Sequence, residues 1–303
     1  MAKRAFVVGI NDYRNWHSVG FGDLGFCRSD ATAFAEQILR DGRLFSEDNI
    51  TVCEDHEATR AGILAGIQRM LDASDVGDVA CFYFAGHGDR NPVRGSPIRW
   101  AEAIVPYDGA AMISDAEINR MVSALEINRV NFTIVLDSCH SGGVFDPALP
   151  GTTVRTGRWP AEKCDRMVET CRGISPMVCT PEPATFVGNV ANVARSAAQH
   201  LVMQIVSSFD FSDQAKATLI SACEYDETAK EHASLSHGYF TSAMLDTVNQ
   251  SNFIMSYNDF HQAVGRAVQG YVTRFGSSRQ TPQLRGRPVR HGEDFLAEWT
   301  FSI

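Results

Sequence analysis

The sequence lacks several features that would place it in particular classes of protein. None of its apolar runs reaches the roughly 18 residues that a membrane-spanning helix needs, and the apolar stretch near its start is too short for a signal peptide. Basic residues are outnumbered, since 27 lysines and arginines face 36 acidic residues for a net charge of -9. We therefore expect a cytoplasmic protein that binds neither a membrane nor, for want of a basic stripe, a nucleic acid.

The cysteines lack the spacing of a disulfide framework or a metal site. Several of the eight cysteines lie in apolar runs, as Cys81 does, which is typical of buried reduced thiols. Cys164, Cys171 and Cys179 cluster in one stretch without a Cys-x-x-Cys pair or a nearby histidine. That spacing favours free thiols over zinc ligands.

Short apolar runs alternate with helical patterns through the first half of the chain. The runs are apolar throughout, which is typical of strands that a parallel sheet buries on both faces. We predict strands at 5–10, 49–53, 79–84, 103–105 and 132–136, and helices at 29–40 (with Ser29 as N-cap), 59–72 and 114–125. This alternation predicts an α/β fold with a mostly parallel central sheet and helices on both faces.

The pattern breaks in the middle of the chain and then returns. Residues 147–200 are rich in Pro, Gly, Thr and Arg and have little apolar period, so they form either a functional loop or a flexible insertion. Beyond the break we predict a strand at 217–222 and helices at 194–207, 239–248 and 257–271. We therefore expect one domain over 1–303, in which residues 1–146 and 201–303 are two halves joined by the 147–200 loop.

Reactive side chains follow two of the buried strands immediately. His87 lies in the run FAGHGD after one strand, and Cys139 lies in DSCHSGG after another. An imidazole beside a thiol can take its proton, so Cys139 is a candidate nucleophile and His87 its general base. The flanking glycines let a substrate approach, and the N–H groups of Gly88 and Cys139 could bind an oxyanion.

Structural readings of the same residues compete with the catalytic one. A single cysteine after a strand is usually a buried thiol, and a single histidine there is often an ordinary hydrogen-bonded side chain. The rival base, His140, directly follows Cys139 and would tend to point away from it. The two glycine-flanked motifs together favour catalysis.

These motifs resemble those of metacaspases and their bacterial relatives in the caspase family. His87 lies 52 positions before Cys139, close to the spacing of about 50 found in caspases. Further similarity lies in VVGINDY at 7–13, LGFCRSDA at 24–31, LISACEYDETAKE at 219–231, HGYFTSAML at 237–245 and QTPQLRG at 280–286. The resemblance implies a caspase-like fold and a cysteine endopeptidase that needs no cofactor for its chemistry.

The resemblance also implies a substrate pocket. It places Cys27, Asp30 and Asp137 around the side chain that precedes the cleaved bond, where two carboxylates would select Arg or Lys in a protein or peptide. The serine that the family often has two positions before the catalytic histidine is Ala85 here. Locally, Asp30 could instead cap or pair near its helix, and Asp137 could merely orient the nucleophile loop.

Two forms of control follow from the resemblance. The 147–200 loop contains basic residues, among them Arg155 and Arg158, so the enzyme itself or an upstream protease could cleave it; an insertion that is never cut is the alternative. Many metacaspases respond to calcium, and Asp115 and Asp146 match acidic positions of that site. Two carboxylates are few for an ion that takes six to eight oxygens.

Three functions are consistent with these features. The first is an active endopeptidase directed at Arg or Lys, and the second is a catalytically silent caspase-like scaffold or binding module. The third is another thiol hydrolase on the same scaffold, such as an amidase.

Overall fold

The central sheet has five parallel strands and one antiparallel edge strand. The computed structural model describes residues 1–92, 100–124, 130–138, 152–154, 217–224, 227–251 and 253–298. Within them the spatial order of the sheet is β12 (Gln283–Arg285), β9 (Thr218–Ser221), β7 (Asn131–Asp137), β3 (Val79–Ala85), β1 (Lys3–Gly9) and β2 (Ile50–Glu54). Only β12 runs against its neighbour. The expected α/β fold with a mostly parallel sheet is confirmed.

Helices cover both faces of the sheet. They are α1 (Cys27–Ala33), α2 (Arg60–Asp72), α3 (Asp115–Ala124), α4 (Tyr239–Ser251), α5 (Tyr257–Phe275) and the short α6 (Pro288–His291). On one face Tyr83 of β3 stacks on Phe34, with ring centroids 4.2 Å apart, and its hydroxyl contacts α4. On the other face the ring of Phe6 lies so close to Gly66 of α2 that a Cβ there would clash at 2.2 Å. Neighbouring side chains of a strand point to opposite faces, so each strand anchors both helical layers.

Two small antiparallel sheets lie beside the central one. The first contains β4 (Gly88–Pro92), β5 (Trp100–Ile104) and β6 (Ile113–Ser114). The second contains β8 (Thr152–Val154), β10 (Lys230–His232) and β11 (His237–Gly238). Short 3-10 turns span Arg14–Val19, Glu47–Asn49 and Asp55–Glu57.

Helix α1 departs from its predicted form. It begins at Cys27 rather than after Ser29, and its last residues pass into a π-helical stretch at Phe34–Gly42. Ser29 is therefore wrong as the N-cap; its hydroxyl donates instead to the carbonyls of Phe26 and Ser236. By contrast, Thr59 is the N-cap of α2, since its side chain accepts from the N–H of Gly62.

The proposed middle loop is described at only three residues. Of 147–200, the segment Thr152–Val154 forms β8, which pairs with β10. The helix expected at 194–207 lies outside the described residues, and the division into two halves stays a prediction. Across the described ranges, no helix combines the length and apolar character needed to cross a membrane.

Candidate active site

The strand ends that carry the two motifs are neighbours in the sheet. Strands β3 and β7 pair in parallel over seven residues, and the last pair is Ala85 with Asp137. Just beyond it, the N–H of Gly86 donates to the carbonyl of Asp137 over 3.3 Å. His87 and Cys139 each follow this last pair by two positions. Cys139 itself lies outside the described residues, which end in this segment at the fully buried Ser138.

His87 is held in one orientation by backbone and aromatic contacts. Its ring nitrogen Nε2 lies 2.7 Å from the carbonyl oxygen of Gly22. A carbonyl can only accept, so Nε2 carries the proton and Nδ1 is the basic nitrogen of the neutral ring. The rings of Tyr13 and Phe21 meet the imidazole edge-on at 4.4 and 5.2 Å. His87 is 2% exposed, and the bond to Gly22 and the two ring contacts hold its imidazole in this orientation.

Tyr13 contacts both the backbone and the ring of His87. Its hydroxyl accepts from the His87 N–H at 2.8 Å and donates to the carbonyl of Val105 at 3.3 Å. The Tyr13 N–H in turn donates to Asp23, over 2.8 Å. That bond, followed by one from His17, holds the pKa of the Asp23 carboxyl below its usual value. The loop between β1 and α1 thus positions the histidine.

The glycines around His87 differ in what they allow. A Cβ on Gly86 would lie 2.4 Å from the Tyr13 hydroxyl and 2.7 Å from the ring of Phe84, so only glycine fits there. Gly88, the expected oxyanion donor, begins β4 and pairs with Ile104 of β5. Its role as a donor stays a prediction.

Both carboxylates expected in the substrate pocket lie at the start of α4. Asp30 accepts from the Nδ1 of His237 at 2.8 Å and from the Gly238 N–H at 3.1 Å. Asp137 accepts from the hydroxyl of Thr241 at 2.6 Å. Positions 238 and 241 are one helical turn apart, and a helix N-terminus favours negative charge. Although they are 107 positions apart in sequence, the fold brings these two fully buried aspartates to one helix end.

Cys27, the third expected pocket residue, lies one turn before Asp30 on α1 and is fully buried. Its sulfur is 4.0 Å from Oε2 of Glu231. Glu231 also accepts from the N–H of Gly25, at 2.7 Å, and of Phe26, at 3.3 Å. Glu231 therefore holds the two residues that precede α1, a contact between distant parts of the chain that local sequence could not reveal.

Two further cysteines have environments that suppress reactivity. Burial raises the pKa of the Cys53 thiol to about 11, and burial also raises the pKa of the Cys81 thiol. A raised pKa leaves little thiolate at neutral pH. Neither is a candidate nucleophile.

The expected calcium residues are only half described. Asp115 begins α3, and its carboxylate accepts from the neighbouring N–H of Ala116 at 2.6 Å. Asp146 lies outside the described residues. In the described part of the chain, no three His, Cys, Asp or Glu side chains form a group that could hold a metal ion.

Comparison with known proteins agrees with this fold. The family model for the caspase domain matches residues 2–291, and the chain belongs to that family. It is similar to Metacaspase-9 of Arabidopsis thaliana, with 38% identity over 152 residues, which are 47% of this chain and 44% of the relative. Metacaspase-2 of Trypanosoma brucei brucei is 29% identical over 163 residues, 51% of this chain and 45% of the relative. The protein is thus a metacaspase-like member of the caspase family.

The matches with these relatives are partial in length. The chain spans about half the length of the curated relatives it matches. A crystal structure of a Geobacter sulfurreducens protein covers 99% of this chain and all of its own, with a TM-score of 0.65 and 22% identity. That likeness supports the fold alone.

Sequence reasoning missed most of the residues that hold the site together. Tyr13, Phe21 and Gly22 orient His87, and Glu231 and His237 contact the pocket residues of α1. Tyr13 follows the first predicted strand, which is a weak signal for a site residue. The other contacts join residues far apart in sequence and leave no local pattern.

Proposed function

We propose that the protein is a cysteine endopeptidase that cleaves after Arg or Lys, with Cys139 as nucleophile and His87 as general base. The observation that carries the proposal is the register of β3 and β7. Their last pair is Ala85 with Asp137, and His87 and Cys139 each follow that pair by two positions in the sequence. Parallel strands form binding sites at their carboxyl ends.

The orientation of His87 supports its assignment as base. With the Nε2 proton donated to Gly22, Nδ1 can take the proton of the Cys139 thiol. The thiolate then attacks the carbonyl carbon of the substrate, and His87 returns the proton to the leaving amine. Water, deprotonated by the same nitrogen, hydrolyses the thioester and regenerates the thiol. The Gly88 N–H is the proposed donor to the oxyanion.

The charge at the start of α4 supports the choice of substrate. Two buried carboxylates, Asp30 and Asp137, attract a guanidinium or ammonium group and repel an acidic one. Both already accept hydrogen bonds, but a carboxylate has about four lone-pair sites and can accept more. We expect Asp30→Asn to raise KM for an Arg peptide on the order of tenfold, because an amide attracts a cation less strongly than a carboxylate does.

A panel of fluorogenic Arg, Lys and Asp peptides tests the proposal. We expect hydrolysis after Arg or Lys, with loss of at least about a thousandfold in Cys139→Ala and His87→Ala. His261→Ala is the matched control, because His261 also places Nε2 against a backbone carbonyl, that of Pro282 at 2.9 Å. Hydrolysis only after Asp would contradict the specificity. Silence toward every peptide, with or without calcium or limited proteolysis, would favour the scaffold.

Cleavage within 147–200 is the proposed route of activation. Strand β8 joins this segment to β10, and β10 supplies Glu231 to the start of α1. Processing in the loop, by the enzyme itself or by an upstream protease, would thus act close to the pocket residues. Incubation of purified protein beside Cys139→Ala tests self-processing, and equal, uncut chains in both would end that idea.

A further inference from the structure

One contact in the proposed substrate pocket joins a carboxylate to an ionisable group of the protein itself. Nδ1 of His237 lies 2.8 Å from Oδ1 of Asp30. Asp30 is fully buried, whereas the His237 side chain is 22% exposed. The imidazole therefore reaches both the carboxylate and water. A cation that binds Asp30 must share it with His237.

The position of His237 is fixed by its neighbours. Strand β11 pairs with β10, which places His237 opposite His232. The hairpin turn between them is tied to α1, because the Ser29 hydroxyl donates to the carbonyl of Ser236 at 2.9 Å. The N–H of Gly238, the next residue, donates to both oxygens of Asp30. The contact is therefore one of several hydrogen bonds that join the hairpin to α1.

The other charged groups near this contact have partners of their own. On α1, Arg28 pairs with Glu54 at 2.8 Å. On β10, Lys230 donates to the carbonyl of Thr228, Glu231 accepts from α1, and His232 stacks on Phe275 with ring centroids 3.9 Å apart. The first turn of α4 carries no acidic residue. Asp30 is thus the charge that His237 contacts directly.

We propose that His237 is a specificity-determining residue: when its imidazole is protonated it cancels the charge of Asp30 and weakens the binding of a basic substrate side chain. This inference rests on the proposed function. Nδ1–H donates to the carboxylate in the neutral and the protonated ring alike, so the contact persists while its charge changes. The pocket is then strongly anionic when the imidazole is neutral and less so when it is protonated.

The effect can be measured without turnover. In Cys139→Ala, calorimetry gives the Kd of an Arg peptide at pH 8 and pH 5.5. The same peptide with citrulline, an uncharged analogue of Arg, is the ligand control. We expect Arg binding to weaken on the order of tenfold at the lower pH, since one charge of the pair is neutralised. Citrulline binding should change little.

Variants in the same background assign the effect to His237. His237→Asn keeps an N–H donor but cannot take a proton, so its Kd for the Arg peptide should change at most about twofold between the two pH values. His232→Asn, on the same hairpin but without a contact to Asp30, should behave like the parent. His237→Gln is a second neutral donor for use if circular dichroism shows that the Asn variant is misfolded.

Two results would overturn the inference in different ways. If Arg-peptide binding weakened equally at pH 5.5 in the parent and in both neutral variants, the role of His237 would be refuted. Peptide hydrolysis by the wild type would then still support the proposed function. No binding of the Arg peptide at either pH, together with no hydrolysis after Arg or Lys, would refute both proposals.

Discussion

Replacing Tyr13 by Phe tests how the fold positions the catalytic base. The change removes one oxygen and leaves the ring that packs edge-on against His87. It deletes the 2.8 Å bond from the His87 N–H and the 3.3 Å bond to the carbonyl of Val105. Tyr13 is fully buried, so water cannot readily replace the hydroxyl.

The magnitude follows from these two bonds. Loss of a buried partner costs about 1–3 kcal/mol because the remaining group stays desolvated. The longer bond to Val105 contributes less than the shorter one, so we expect unfolding in urea to show a loss of about 2 kcal/mol. The imidazole then has more freedom at the site, and we expect kcat to fall about tenfold, with KM within twofold.

A matched variant separates stability from positioning. Tyr257 of α5 is also fully buried, and its hydroxyl bonds to Thr133 at 2.5 Å, to Asn131 at 3.2 Å and to the N–H of Leu296 at 3.3 Å. None of these partners contacts His87, so Tyr257→Phe should lose at least as much stability as Tyr13→Phe but keep kcat. If both variants lost stability and neither lost kcat, or if Tyr13→Phe changed nothing, the positioning role of Tyr13 would be refuted.

Three further outcomes are expected. Burial acts to raise the pKa of the Asp78 carboxyl, but the N–H groups of Asp75 and Ala2 and the Arg4 guanidinium outweigh burial and hold the pKa below its usual value. The ionised carboxylate therefore stabilises the fold above about pH 4, and that stabilisation is lost as the pH falls further. Asp78→Asn should lower the urea midpoint at pH 7 and much less at pH 3. Gly86→Ala should destabilise the protein by about 2–4 kcal/mol because its Cβ would meet neighbours under 3 Å away, and normal urea stability would contradict that clash. If calcium activates the enzyme, a chelator should abolish peptide hydrolysis and added calcium should restore it; activity unchanged by the chelator would exclude calcium control.

Sequence predicted the long elements well because their signals are local. The run at 79–84 became a strand at Val79–Ala85, and the helix expected at 257–271 spans Tyr257–Phe275. Strands β10 and β11, of three and two residues, were missed because such short strands show no hydrophobic periodicity. Their existence depends on pairing with β8 and with each other.

Glycine-flanked motifs after apolar runs make His87 and Cys139 the candidate reactive residues, because that arrangement is readable from neighbours in sequence; their catalytic role stays a prediction. The contacts that hold His87 could not be predicted in this way. The start of α1 was misplaced because Glu231, which holds the residues just before the helix, comes from 205 positions beyond Phe26. Similarly, nothing near Asp30 in sequence indicates that His237 donates to it. Contacts of this kind depend on the completed fold.

The central claim is that His87 activates the thiol of Cys139, and alkylation kinetics test it most directly. Iodoacetamide at pH 7, followed by peptide mass mapping, gives a rate for each cysteine. We expect Cys139 to react at least about a hundredfold faster than Cys53 and Cys81, because burial raises the pKa values of those two thiols. In His87→Ala, the alkylation of Cys139 should slow by about tenfold or more. A Cys139 rate that matched those of the buried cysteines, or that His87→Ala left unchanged, would contradict the account.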